Sequence, residues 1–252
     1  MSKIVSVHSF RGGTGKSNTS ANLTYLCALQ GMRVGVVDTD IQSPGIHVLF
    51  GLDEQDMGRS LNDYLWGKCV IEDTAHDVTA SLGPEVKGKV FLIPSSIKAG
   101  EIARVLREGY DVGLLNEGFE SLIKNLKLDV LFIDTHPGLN EETLLSIAIS
   151  DTLVLIMRPD QQDYQGTSVT VEVARKLDVP QMFLLVNKVP AQFNSDEVKQ
   201  RIEKIYNCEV AAVIPHSDDL MTLASAGIFS MRFPDHPVTK LYKQLIGRVL
   251  GD

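Results

Sequence analysis

Cysteine is scarce in this 252-residue chain: Cys27, Cys69 and Cys208 stand far apart, with no C-x-x-C pair. That spacing excludes a thiolate zinc site or an iron–sulfur cluster held by one such motif, and isolated thiols suit a reducing compartment. No run approaches the roughly 18 apolar residues that cross a bilayer. The apolar start ends at Phe10, before Arg11-Gly12-Gly13, and is too short for a secretory h-region, so a cytoplasmic protein is expected. The six histidines have no i,i+4 pair, and no histidine metal site is expected. Positive charge is also in deficit. The net charge is -8 at pH 7, and residues 151–252 carry no basic excess, which disfavours a surface that grips DNA or anionic lipid. Repeats, low-complexity tracts and Pro/Ser-rich linkers are missing, so a single domain over 1–252 is expected.

What is present is a rhythm. Short apolar runs at 4–7, 34–37, 90–93, 130–133, 153–157, 182–186 and 210–214 are rich in Val, Ile and Leu and do not alternate with polar residues. Such runs suit parallel strands covered on both faces. Between them, 17–30, 101–107, 113–124, 141–150, 165–177 and 196–206 have helical spacing. The alternation predicts an α/β fold: a doubly wound, mostly parallel sheet with helices on both faces. Residues 51–89 show no sustained pattern, and their structure is left open. A last helix, Pro237 to Leu250, places Leu241, Leu245 and Val249 on one face and reads as a closing helix packed on the sheet.

Between the first strand and the first helix stands Phe10-Arg11-Gly12-Gly13-Thr14-Gly15-Lys16-Ser17-Asn18. Glycines at this place let the backbone curl so that N–H groups converge on phosphate oxygens, and the helix start adds its positive end. Lys16 then reaches the β and γ phosphates and the Ser17 hydroxyl holds Mg2+. After the second strand come Asp38-Thr39-Asp40, two carboxylates at i and i+2 on one side of a strand end. Another apolar strand closes on Asp134-Thr135-His136-Pro137-Gly138, with Asp134 placed as a Walker B carboxylate. Asn187-Lys188-Val189-Pro190 ends a later strand. A guanine-specific loop has aspartate where Pro190 stands, whereas the Asn187 amide can still pair with adenine.

The loop resembles the deviant Walker A motif of the MinD/ParA family, and the likeness spans nearly the whole chain, weakest at 51–89. The resemblance implies an ATPase with ATP and Mg2+ as cofactors, assembling as an ATP-bound homodimer. Arg11 stands where the family's signature lysine crosses to the partner subunit's phosphates, keeping the charge but presenting a planar, two-oxygen donor. By the same resemblance Gly12 to Asn18 cradle phosphate, Asp40 orients the attacking water and Asp38 supports the magnesium shell. Asn187, Lys188 and the segment around Pro215 border the base, and Gly138 lets a switch loop respond to the γ-phosphate. His136 stands where relatives carry a small residue or proline and is read as a loop histidine. The nearest likeness is to a MinD-like protein without its membrane-targeting tail, so membrane binding is not expected. A protein regulator or cargo is implied, in cell division, chromosome partitioning or a related process. Two alternatives stay open: a ParA-like DNA-binding partition protein, disfavoured by the acidic balance, and an ATP-binding pseudoenzyme with little turnover.

Overall fold

Each of the seven apolar runs forms a strand. The computed structural model describes residues 2–251. Its strands are β1 (Lys3–His8), β2 (Arg33–Asp38), β3 (His76–Asp77), β4 (Lys89–Ile93), β5 (Val130–Asp134), β6 (Thr152–Met157), β7 (Gln181–Val189) and β8 (Val210–Pro215). They make one eight-stranded sheet in the order β3-β4-β2-β5-β1-β6-β7-β8. All neighbours are parallel except β3, which pairs antiparallel with β4. Beta-branched and aliphatic residues at consecutive positions supply both faces of such a sheet at once.

The two faces bury different sets of side chains. Val5, Val7, Val34, Val36, Leu92 and Phe132 point to one side, where helix α1 (Lys16–Leu29) and the helix Pro237–Leu250 cover them with Leu23, Leu26, Tyr242, Leu245 and Val249. The C-terminal helix is therefore packed on the sheet, as its spacing predicts. On the opposite side Leu131 and Ile133 meet Leu115, Phe119 and Leu122 of the helix Gly113–Leu126. Leu153 and Leu155 meet Val171 and Ala174 of the helix Gln161–Lys176 and Ile202 of the helix Ser195–Tyr206. Each fully buried Leu, Ile, Val or Phe contributes roughly 1.5–3 kcal/mol.

The structure departs from the sequence reading at element ends and in the open segment. The helix expected over 165–177 begins four residues earlier, at Gln161, because Asp160 caps it by accepting the N–H groups of Gln162 and Asp163. Its polar first turn carries no apolar periodicity to reveal it. Within 51–89 lie a one-turn helix, Leu61–Leu65, closed by a Ser60/Asp63 capping box, two 3-10 turns and β3. Leu61, Leu65 and Ile71 anchor this segment in the core. Elements this short hold too few residues for a period to show. Among the described residues, no helix is long and apolar enough to cross a membrane.

Candidate nucleotide site

Parallel pairing brings the carboxyl ends of β2, β5 and β1 side by side at the middle of the sheet. The loop after His8 runs from there into α1. Gly13 (φ +75°) and Gly15 (φ +103°) adopt the left-handed region, where a Cβ is strained. A Cβ on Gly15 would also sit 2.6 Å from Asn187 Nδ2. Gly15 is the N-cap of α1 and gives it no side-chain cap, so the helix start keeps donors for an anion. Lys16 is only 7% exposed, yet among the described residues its amine makes no hydrogen bond or ion pair.

Opposite the loop, Asp38 and Asp134 are register partners on β2 and β5, and both are buried. Asp38 is held at each oxygen, Oδ1 accepting from Asp40 N at 3.0 Å and Oδ2 from Gly45 N at 3.1 Å. Ser95 Oγ donates to its carbonyl at 2.7 Å. Asp134 Oδ1 accepts from Ser20 Oγ at 3.0 Å. Burial pushes both carboxyls above the ordinary range, and neighbouring carboxylates add to the rise: Asp134 and Asp40 acting on Asp38, Asp40 acting on Asp134. Two carboxylates side by side and out of water repel each other, a cost that a cation between them would relieve. Ser17, Asp38 and Asp134 offer only oxygen, which fits a hard ion such as Mg2+ that keeps waters and takes one or two carboxylates beside phosphate. No cluster of three or more His, Cys, Asp or Glu occurs among the described residues, so a cage built from protein alone is not available.

Asp40, at the end of the β2 turn, is half-buried and its carboxyl is raised by burial, with His136 and Lys16 opposing the rise. Its Oδ1 accepts from Ser43 N at 3.1 Å and lies 3.8 Å from His136 Nε2. Beneath them His8, the last residue of β1, is fully buried against Thr135 Oγ1 at 2.7 Å. Neither imidazole was singled out by sequence reasoning as part of the site. The signal for His8 was a titratable residue closing an otherwise apolar strand directly before the glycine loop.

Asn187 and Lys188 reach the loop through an irregularity in β7. The β7/β8 register shifts between Val186 and Val189, and Lys188 has φ +58°. That turn aims two consecutive side chains at the glycine loop. Asn187 Nδ2 donates to the Thr14 carbonyl at 2.7 Å, and Lys188 Nζ to the Gly13 carbonyl at 2.8 Å. The Asn187 side-chain oxygen accepts from Lys188 N at 2.9 Å. Expected at the base, Asn187 here meets the phosphate loop through its amide nitrogen, while its amide oxygen is taken by the backbone of Lys188. Pro215 lies beside it at the tip of β8, in register with Val189. Gly138 (φ +86°) docks the segment after β5 on the loop by donating its N–H to the Ser9 carbonyl at 3.2 Å.

A family model described as an AAA domain matches residues 2–182. An uncharacterized ATP-binding protein of Methanocaldococcus jannaschii is 26% identical over 254 residues, covering 100% of this chain and 89% of that one. The cell division ATPase MinD of Pyrococcus furiosus superposes with a TM-score of 0.84 at 21% identity, covering 100% of this chain and 99% of that one. The chain belongs to the MinD/ParA family. The septum site-determining protein MinD of Pyrococcus horikoshii, complexed with Mg-ADP, shares the fold at a TM-score of 0.82 and 22% identity, over 99% of this chain and 96% of that one.

This MinD/ParA chain holds its signature-position arginine within the same subunit. Arg11 lies 3.6 Å from both Asp160 and Asp163, at the start of the helix Gln161–Lys176. Phe10 packs so closely on that helix that a Cβ on Gly166 would fall 2.1 Å from its ring. Asp163 is also bound by Arg158, whose backbone N and Nε donate to Oδ2 at 2.8 and 3.1 Å. Both carboxylates have this second cation, since Arg158 Nη2 is 3.3 Å from Asp160.

Proposed function

We propose that this chain is a magnesium-dependent ATPase acting as a dimerisation switch in the cytoplasm, whose ATP-bound pair positions or regulates a cellular cargo. The supporting observation is Lys16: an amine buried at the foot of a glycine loop, without a hydrogen-bond or ion-pair partner among the described residues and near the carboxylates of Asp40 and Asp134. A triphosphate supplies the anion that Lys16 lacks, and the backbone N–H groups from Gly12 to Asn18 bond its oxygens. Ser17 and Asp134, backed by Asp38, would hold Mg2+, which neutralises charge on the transferred phosphoryl group. Asp40 orients the attacking water. Asn187, Lys188 and Pro215 border the adenine. The whole of 1–252 is read as one nucleotide-binding unit, and a protein regulator or cargo reads the difference between its two states. Names of relatives in septum placement and cell division support a spatial role.

ATP can favour the dimer only as far as it binds the dimer better than the monomer. Arg11 supplies that difference if it leaves Asp160 and Asp163 and reaches across to the partner's phosphates, where its fork binds two oxygens. Titration calorimetry with ATP and ADP, each with and without Mg2+, tests the site. Lys16→Ala should weaken Mg-ATP binding about 10- to 100-fold, the worth of a charge-assisted hydrogen bond. A wild-type chain with no magnesium-supported affinity sinks the reading. For the switch, an Asp40→Ala variant should elute from gel filtration as a larger species with ATP alone. The same elution with ATP, ADP and no nucleotide would reject dimerisation.

A second reading, an ATP-binding protein with little turnover, is favoured by the ion pairs that hold Arg11 in its own subunit. Turnover measured across protein concentrations separates the two.

A further inference from the structure

Helix α1 carries two serines on one face, Ser17 beside the glycine loop and Ser20 one turn deeper. Ser20 is fully buried, and its hydroxyl donates to Asp134 Oδ1 at 3.0 Å. Ser17 adjoins the same carboxylate. Asp134 thus stands between β5 and α1, and its main chain and side chain are held by different elements. The sheet fixes the main chain: the Asp134 carbonyl accepts from Thr39 N at 2.9 Å and from Thr39 Oγ1 at 3.1 Å, and Val7 and Asp38 flank it in register. None of these bonds holds the carboxyl group, whose direction depends on its own side-chain torsions. The Ser20 hydroxyl is what ties that group to the helix bearing Lys16 and Ser17. Asp38 makes the contrast, since N–H groups of its own loop take both of its oxygens, at 3.0 and 3.1 Å. The Asp134 carboxylate has no backbone donor among the described residues, and its tether comes from the nucleotide-binding helix instead.

We propose that Ser20 is a positioning residue for the magnesium of Mg-ATP: by holding Asp134 Oδ1, it leaves Oδ2 for the metal that Ser17 shares. This rests on the nucleotide-binding reading of the site. A carboxylate with no such tether rotates about its last bond and exchanges its two oxygens, whereas a hydrogen bond from behind fixes which oxygen faces the ion. Ser17 and Ser20 belong to one rigid stretch of helix, so the same tether sets the spacing between the hydroxyl and the carboxylate that must meet a single ion. That spacing matters for Mg2+, which accepts little departure from octahedral geometry. The glycine-loop motif ends at Ser17, and nothing in it announces a role for a serine one turn further on.

Titration calorimetry on the full chain tests this by measuring ATP affinity in MgCl2 and in EDTA for the wild type, Ser20→Ala and Ser20→Thr. The ratio of the two affinities is the gain that the metal brings. Ser20→Ala should cut that gain about tenfold, the scale on which losing the partner of a metal ligand weakens metal binding. Affinity in EDTA should stay within about twofold, because no hydrogen bond to phosphate is removed. Ser20→Thr, which keeps the hydroxyl, should retain most of the gain. Urea unfolding of the nucleotide-free variants completes the comparison, since a purely structural role lowers stability and weakens ATP alike with and without Mg2+. A Ser20→Ala variant that keeps the wild-type gain, or whose affinity falls equally in MgCl2 and in EDTA, overturns the positioning role alone. A wild type that gains nothing from Mg2+ overturns the reading of the site and this role together.

Discussion

His8 shows how closely the site's side chains are fitted at the residue scale. The Thr135 hydroxyl donates to the Val7 carbonyl at 3.1 Å, so its oxygen accepts from His8 Nδ1–H. Nε2 is left buried without a partner. Burial, followed by the charges of Lys16 and His136, pulls the His8 pKa down from 6.5 to about 3. The unfolded chain therefore takes up a proton near pH 6.5 that the folded chain refuses until about pH 3. Stability linked to His8 is complete above 6.5 and is lost as pH falls toward 3, by roughly 5 kcal/mol over the whole span. His8→Gln removes this linkage. Urea unfolding from pH 7 downward should show the wild type losing stability faster than the variant, and parallel pH profiles would contradict the assignment.

At the scale of elements, the irregularity in β7 ties that strand to the phosphate loop through Asn187 and Lys188. Asn187→Ala leaves the Thr14 carbonyl without its donor and frees the loop that Gly15 forms. Mg-ATP affinity should fall about tenfold, as expected for one lost buried hydrogen bond, and calorimetry reads it directly. The strands and main helices were legible because Val, Ile and Leu runs and amphipathic spacing report burial directly. The placement of Gly12 to Ser17, Asp38, Asp40 and Asp134 at one end of the sheet was legible because each follows such a run. The Asn187 brace was not, since it depends on a register shift and a left-handed Lys188 that no local pattern encodes. Nor was the pairing of Arg11 with Asp163, which joins positions 152 residues apart in the chain. The 51–89 segment stayed closed to reading because its elements are one turn or two residues long.

For the whole molecule the question is what Arg11 does when two copies meet. Its side chain is 39% exposed, and the pairs with Asp160 and Asp163 are long, so their combined worth is of order 1 kcal/mol or less. Releasing it leaves neither carboxylate alone, because Arg158 stays bound to both. Release of Arg11 from its own subunit, as the proposed switch requires, is thus a small energetic step. Arg11→Ala should leave Mg-ATP binding to the monomer nearly intact while abolishing the rise of specific ATPase rate with protein concentration. A variant whose rate still climbs with concentration as the wild type's does would remove Arg11 from the dimer's chemistry.

The short antiparallel β3 has a bearing on how such copies can associate. By laying only two residues, His76 and Asp77, along β4, and by pairing Asp77 with Lys89, it blunts that flank of the sheet with a charged stub. A neighbour seeking to extend the ribbon there finds almost no ladder to join. Zipper-like growth is discouraged on that border.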